Sequence, residues 1–376
     1  MKKWSYLFLL VSMQLVQAQT DGTNASPFEF GASYVGEAMG VLHGGIQSGF
    51  SYEGMANIRF GFHTEKAGWW KGGSFLVTGA NTHGGTPSSR LIGDFQVASN
   101  IEAGELTYLH ECWYRQELGQ LTLMVGLQDL NSEFVYTESG NAFLNSSFGT
   151  HSTIASNVPS PIFPLTSLGA QVQYRFSDRV LVKAAVFDGM PEDLDYNPHN
   201  ISWHLNSNDG YLTFAELNLA DPMPGLPGGV FKLGAYYHNH NPFSNVSDPS
   251  LPNYGAYLSA DQTVLRLSSE RKLNAFVQCS VSPSNKNNNN AYFGGGLLCQ
   301  GPSAARPDDA LGLGFARANL LHAPGGSETS IELTYHLRIC DQLYLQPDIQ
   351  YFVHPGGTER VLDNALVAFI RFNLEI

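Results

Sequence analysis

Segment after segment of this chain alternates apolar and polar residues with a period of two, and almost nowhere does a 3.6-residue period replace it. From Met55 to His63, the set Ala56, Ile58, Phe60, Phe62 alternates with Asn57, Arg59, Gly61 and His63. The same holds for Leu121, Leu123, Val125, Leu127 in the segment ending at Gln128, and for Leu168, Ala170, Val172, Tyr174, Phe176 against Gln171, Gln173, Arg175. From Ile331 to Ile339, Ile331, Leu333, Tyr335, Leu337 and Ile339 alternate with Glu332, Thr334, His336 and Arg338. Successive side chains on a strand point to opposite faces, so each segment shows one face to an apolar medium and the other to water.

About sixteen such strands are predicted, near 28–36, 54–63, 73–81, 105–115, 120–128, 168–176, 180–187, 211–218, 230–238, 256–267, 273–281, 291–299, 310–318, 328–339, 343–353 and 364–376. Long connections (82–104, 129–167, 188–210) alternate with short ones (116–119, 177–178, 268–272, 340–342). A soluble sandwich shows similar alternation but has no reason to sort its loops by length. A membrane-spanning cylinder does, because only one rim faces outward. Strands in hydrocarbon must also close on themselves, since an open edge leaves amides unpaired. The predicted fold is therefore all-β: a transmembrane antiparallel β-barrel of about 16 strands, with long extracellular loops, short periplasmic turns and an aqueous lumen.

The last strand fits. Ala368, Ile370, Phe372, Leu374 and Ile376 alternate with Val367, Phe369, Arg371 and Asn373, which puts Phe369 in the lumen. Pro347 cannot donate to a ladder, so a bulge or rim is expected there.

Residues 1–18 read as a cleavable export signal: Lys2 and Lys3, an apolar run from Trp4 to Val16, and Val16-Gln17-Ala18 at the exit. The remainder, 19–376, has no linker or shift of composition and reads as one unit. Charged residues make up 14%, well below the ~25% of soluble domains. Without Lys2 and Lys3, 18 basic residues stand against 33 acidic ones, a net charge of −15. That balance excludes nucleic acid, whose phosphates require Lys and Arg.

Four cysteines are too few for a disulfide scaffold. Cys279 and Cys299 flank a hairpin and are expected to face each other as a possible disulfide. No zinc spacing, P-loop, G-x-S-x-G or HExxH occurs, so neither metal nor cofactor is expected. His238-Asn239-His240 reads as a rim rather than a metal pair. Glu192, Asp193, Asp195 and Asn197 read as a solvated acidic loop rather than a cation site. Glu102 and Glu105 lack the rigid scaffold that glycoside hydrolysis needs.

Seven pieces, taken in order, carry a family resemblance: GWWKGGSFLV (68–77), NIEAGELTYLHECWYRQELGQLTLMVGLQDLNSEF (100–134), AFLNSSFGTHSTIASNVPSPIFPLTSLG (142–169), AVFDGMPED (185–193), GGVFKLGAYYH (228–238), GGGLLCQGPSAARPDDALGLGFA (294–316) and LYLQPDIQYFVHPGG (343–357). The chain resembles the carbohydrate-selective porins of the OprB type over most of its length. The resemblance implies a monomeric sixteen-stranded barrel in the outer membrane of a Gram-negative-type bacterium, passing monosaccharides such as glucose by facilitated diffusion, with small carbohydrates and membrane lipid as its partners. The four cysteines, Arg115 and the terminal Ile376 depart from the family pattern.

Porins of this architecture commonly fold the third outside loop, here 129–167, into the lumen. Asn131, Glu133 and Asn145 in that loop can bond sugar hydroxyls. In the fourth strand, an outward Tyr108, His110, Cys112 and Tyr114 would leave Thr107, Glu111, Trp113 and Arg115 lining the channel. A carboxylate and a guanidinium flanking an indole suit a neutral sugar, which offers hydroxyls at its edge and C–H groups on its face. Arg59, beside Asn57, is expected to oppose Glu111 across the channel. Two other functions stay open from the residues: a general or ion-conducting diffusion porin, and a secreted soluble β-protein that binds or cleaves glycans.

Overall fold

The computed structural model describes residues 26–240, 251–356 and 362–376. The expected export signal lies outside the described residues. Sixteen strands form one closed barrel: β1(Phe28–Gly45), β2(Gly49–His63), β3(Gly73–Gly84), β4(Leu106–Leu118), β5(Leu121–Gln128), β6(Ser167–Ser177), β7(Val180–Asp188), β8(Tyr211–Ala220), β9(Gly229–His238), β10(Asn253–Arg266), β11(Lys272–Val281), β12(Asn289–Gln300), β13(Ala310–Leu320), β14(Ser327–Cys340), β15(Leu343–Val353) and β16(Asp363–Glu375). Every neighbouring pair is antiparallel, and β16 closes on β1 from Ser33↔Glu375 to Gly45↔Asp363. All sixteen predicted strands are present, and the third loop ends one residue early because Ser167 already pairs with Gln128.

Alternation sets which side chains meet which medium. On β16, Ala365, Val367, Phe369 and Arg371 are buried inside, whereas Ile370 is 61% exposed. Phe30, Ile58, Leu233 and Ile370 belong to an outward apolar belt that extends around the wall. So large an apolar exterior suits hydrocarbon rather than water. One rim carries the connections 85–105, 129–166 and 189–210, and the other carries 119–120, 178–179 and 341–342.

Three expectations need correction. Cys279 pairs with Phe293 and Cys299 with Leu273, six positions apart along one hairpin. At ~3.3 Å per residue that offset is about 20 Å, far beyond disulfide reach, and all four cysteines are free. Pro347 lies at neither a bulge nor a rim. It points outward in mid-strand opposite Ile370, and the β14–β15 ladder runs from Thr334↔Asp348 to Leu337↔Leu345 in unchanged register with the pairs between them missing. The absent N–H interrupts the ladder locally without shifting it.

The third correction concerns β4. Thr78 pairs with Glu111 but Gly79 pairs with Leu109, so His110 is an extra residue that inverts the face. Glu111, Trp113 and Arg115 point inward as expected, but beyond the bulge Tyr108 is inward and Thr107 is exposed. The β4–β5 ladder reaches only Cys112↔Leu127. Past that point the loop 189–210 takes the place of a strand: Leu109 N donates to His199 O at 3.0 Å, and Asn200 Nδ2 donates to Leu109 O at 3.0 Å.

Two outcomes test this wall. Leu233→Arg, which sets a charge in the outward belt, should destabilise the barrel in lipid vesicles by about 2–4 kcal/mol, read from reversible unfolding; an unaffected midpoint would refute the outward assignment. Thiol titration of the denatured, unreduced chain should return four free groups, and two would restore the rejected disulfide.

Candidate functional site

The lumen is organised by its inward carboxylates. Along 129–166, which includes the short helix α1(Ser152–Asn157), backbone amides are gathered by wall side chains. Glu332 on β14 accepts from Leu144 N at 2.5 Å and Asn145 N at 3.0 Å. Glu216 on β8 accepts from Val135 N at 2.9 Å, and Asp261 on β10 from Ser139 N at 3.2 Å. Donors take the loop carbonyls: Lys232 reaches Tyr136 O at 2.9 Å, Gln278 reaches Phe148 O at 2.7 Å, and Tyr292 reaches Ser147 O at 2.8 Å. Bonds to a charged group contribute roughly 1.5–3 kcal/mol each, and the neutral ones from Gln278 and Tyr292 about 0.5–1.5 kcal/mol. Phe143 and Phe148 pack against Phe276 and Tyr292, while Leu130, Phe134 and Val135 pack against Phe214, Tyr236 and Tyr257.

A second loop is held in the same way. Glu328 accepts from Phe95 N at 2.6 Å and Gln96 N at 2.9 Å, and Arg371 donates to Ser99 Oγ at 3.3 Å. The two loops also bond each other, Asn100 N to Leu144 O at 2.8 Å and Ser146 N to Val97 O at 2.9 Å. Leu144, Ile92 and Ala98 share an apolar seat with Phe352, Val367 and Phe369. The inward Phe369 is therefore packing for the loops.

Against this filled side, β1 and β2 keep half-buried polar groups on their inner face: Glu29, Ser33, Asn57, Arg59 and His63. Arg59 forms an ion pair with Glu29, and His63 Nε2 lies 3.4 Å from the same carboxylate. Arg59 does not oppose Glu111. The row Gly31–Arg59–Thr78–Glu111 runs across four adjacent strands, so both residues belong to one wall, two ~4.8 Å strand spacings apart.

The other predicted residues separate by accessibility. Glu111 is 1% exposed; its carboxylate accepts from Trp113 Nε1 at 3.3 Å and from Asp129 N at 3.4 Å. Trp113, 6% exposed, packs on Leu76 and Met124 under the Arg115 guanidinium, 5.1 Å from its ring centre. Gly126 faces it with φ +132°, where any Cβ would collide with the backbone of Cys112 and Trp113. Arg115 pairs with Glu133, which also receives Lys183 at 3.3 Å and Gln173 at 3.0 Å. Asn145 is buried between Glu332, Gln350 and Ser147, and Asn131 donates to Gly149 O at 3.0 Å within the loop.

Loop groups titrate accordingly. Burial works against charge on Glu133, but Lys183 and Arg115 outweigh it and hold the carboxyl below its ordinary range. Burial pushes Asp129 up to about 7 and drops His151 to about 3. His151 is therefore neutral beside Ser259 Oγ at 3.1 Å. Among the described residues no three His, Cys, Asp or Glu side chains are grouped to hold a metal. His238 and His240 each engage a backbone carbonyl instead, of Gly189 and Asn208.

The family description that fits this chain is the carbohydrate-selective porin, OprB family, matched over residues 47–375. The chain belongs to that family. Porin B of Pseudomonas aeruginosa (strain PAO1) is 27% identical over 92% of this chain and 86% of its own length. The high-pH structure of Pseudomonas putida OprB superposes with a TM-score of 0.83 at 22% identity, covering 93% of this chain and 94% of that one. The low-pH structure of the same protein gives 0.60 at 19% identity, covering 93% of each. This porin is accordingly a Gram-negative outer-membrane β-barrel with carbohydrate-porin function, and its family and fold are those of channels.

Sequence reasoning missed Glu29, His63 and Lys183, and it missed the latch residues Glu216, Asp261, Glu328 and Glu332. For Glu216 a signal was present, an acid on the same strand face as an aromatic in Phe214-Ala215-Glu216; Asp261, Glu328 and Glu332 have Ser or Thr at that spacing and carry no such mark. Glu332→Ala strips two loop amides of their acceptor. Hydrogen exchange in the peptide around 142–147 of the porin should accelerate about 30-fold or more, the equivalent of ~2 kcal/mol, with strand peptides unchanged; unaltered exchange would show that Glu332 does not seat the loop.

Proposed function

We propose that this porin passes monosaccharides such as glucose by passive diffusion, without chemistry or energy coupling, as a monomer. The observation that carries this reading is the half-buried, paired charge on the inner wall, Arg59 with Glu29, and Glu133 shared between Arg115 and Lys183. Pairing with a carboxylate offsets much of the field of these cations. The same groups still offer donors and acceptors to a neutral polyol.

In this reading the loop 129–166, with 85–105 beside it, narrows the passage so that a solute must brush the wall of β1 to β4. Arg59, Asn57 and Arg115 are its direct partners. Glu111 and Trp113 act from behind, holding Arg115 and the start of the loop, while Asn131 and Asn145 shape the loop rather than touch the solute. Weak, successive contacts suit transport, because tight binding would plug the pore. Residues 1–18 serve as the export signal.

Planar-bilayer conductance titrated with glucose tests the reading. A sugar-dependent block is expected, and Arg59→Ala or Arg115→Ala should raise the half-blocking concentration about three- to tenfold, the loss of one ordinary hydrogen bond of ~0.5–1.5 kcal/mol. Conductance without block would indicate a general or ion-conducting porin, and no conductance would remove the channel assignment.

A further inference from the structure

On the outside of the barrel, at the short-turn rim, the start of β1, the end of β2 and the start of β3 border an open apolar groove of about 630 Å³. That is well within the ~300–1,000 Å³ of ordinary ligand clefts. Pro27, Phe28, Phe60, Phe62, Ala67, Trp69 and Phe75 line it. Phe28, Trp69 and Phe75 are 48%, 61% and 39% exposed. Strand alternation sends their neighbours Glu29, Arg59, Gly61 and Ser74 inward, so the groove opens toward the bilayer and not the lumen.

The groove is shaped by its own packing. Trp69 meets Phe62 edge-on at 5.1 Å and stacks with Trp70 at 5.7 Å; Trp70 Nε1 in turn donates to Tyr114 OH at 2.9 Å. Thr64 Oγ1 donates to Trp70 O at 2.7 Å, which fixes the turn 64–72 from inside. These contacts place the Trp69 and Phe62 rings along the groove.

Charge identifies the occupant. Only six of the eight lysines lie beyond residue 18, and two of these, Lys66 and Lys71, sit in this one turn. Both are exposed and neither forms an ion pair among the described residues; Glu65 is the only acid in the turn. Lys183 and Lys232, by contrast, are consumed inside the lumen. An apolar slot bordered by a turn that carries two exposed lysines has the polarity of a lipid whose phosphate remains at the surface while one tail enters the slot.

We propose that this groove is a binding site for an anionic glycerophospholipid of the periplasmic leaflet, one acyl chain lying between Phe28, Phe62 and Trp69 and the phosphate on Lys66 and Lys71. It is separate from the sugar path, being on the other side of the wall.

The test is native mass spectrometry of the mature barrel in detergent, delipidated and then given phosphatidylglycerol or phosphatidylcholine with matched chains. One phosphatidylglycerol should be retained per barrel, with a preference of about fivefold for each lysine engaged. Lys66→Gln combined with Lys71→Gln should erase the preference, and Ala67→Trp, which sets a ring in the groove, should abolish retention of both lipids. Heat-modifiable migration verifies that each variant is a barrel, and glucose-dependent block should be unchanged in both. Equal retention of the two lipids by the wild type, or phosphatidylglycerol retention undisturbed by the double substitution, would overturn the proposal. A dimer that Ala67→Trp dissociates would also overturn it, by giving the groove to a second copy.

Discussion

A backbone amide in hydrocarbon has no water to bond, so every strand that crosses must find a partner on each side. That single requirement closes β16 onto β1 and leaves no free edge. Closure then gives the wall two unlike surfaces, and the period-two sequence is the record of both. The tolerance is narrow: at His110 one extra residue is enough to move Tyr108 from the expected outer face to the inner one. The place where β5 is too short to cover β4 shows the same rule by exception, since the loop 189–210 supplies the missing pairings through His199 and Asn200.

Inside, the wall serves as a receptor for its own loops. Buried carboxylates are costly unless hydrogen-bonded, and Glu328, Glu332 and Glu216 each find donors in loop amides, which would themselves be costly if left unpaired. Two potential penalties cancel in one contact. The aromatic seats around Phe143 and Phe134 add apolar burial, so the loops are held by the same combination of forces as a protein core. The acidic excess of the chain is in part an expression of this seating.

The strands were legible because a membrane enforces alternation on nearly every residue, and turn lengths carried the handedness of inside and outside. The site was legible only in part. Arg59, Asn57, Trp113 and Arg115 were recoverable from the face they occupy, but their partners come from far along the chain, as Glu29 does for Arg59 and Lys183 does for Glu133. No local pattern encodes such pairings. Polar residues in the loop 129–166 looked free to meet a solute because their sequence neighbourhood is hydrophilic. Asn145 is nevertheless spent on Gln350 and the loop's own amides, as tertiary packing decides. The Cys279–Cys299 expectation failed for a related reason, since flanking a hairpin does not set the register within it.

Glu111 and Trp113 are both buried, 1% and 6% exposed. A carboxylate that already bonds an indole and the Asp129 amide has little left for a passing sugar. Its effect reaches the lumen through position: Trp113 supports the Arg115 guanidinium, and Asp129 begins the loop that brings Glu133 to it. The consequence is a wall on which Arg115 and Lys183 share the Glu133 carboxylate and Arg59 pairs with Glu29. Under the proposed function, a neutral solute exchanging water for such a surface gains little and loses little, and that near-equality would let it both enter and leave.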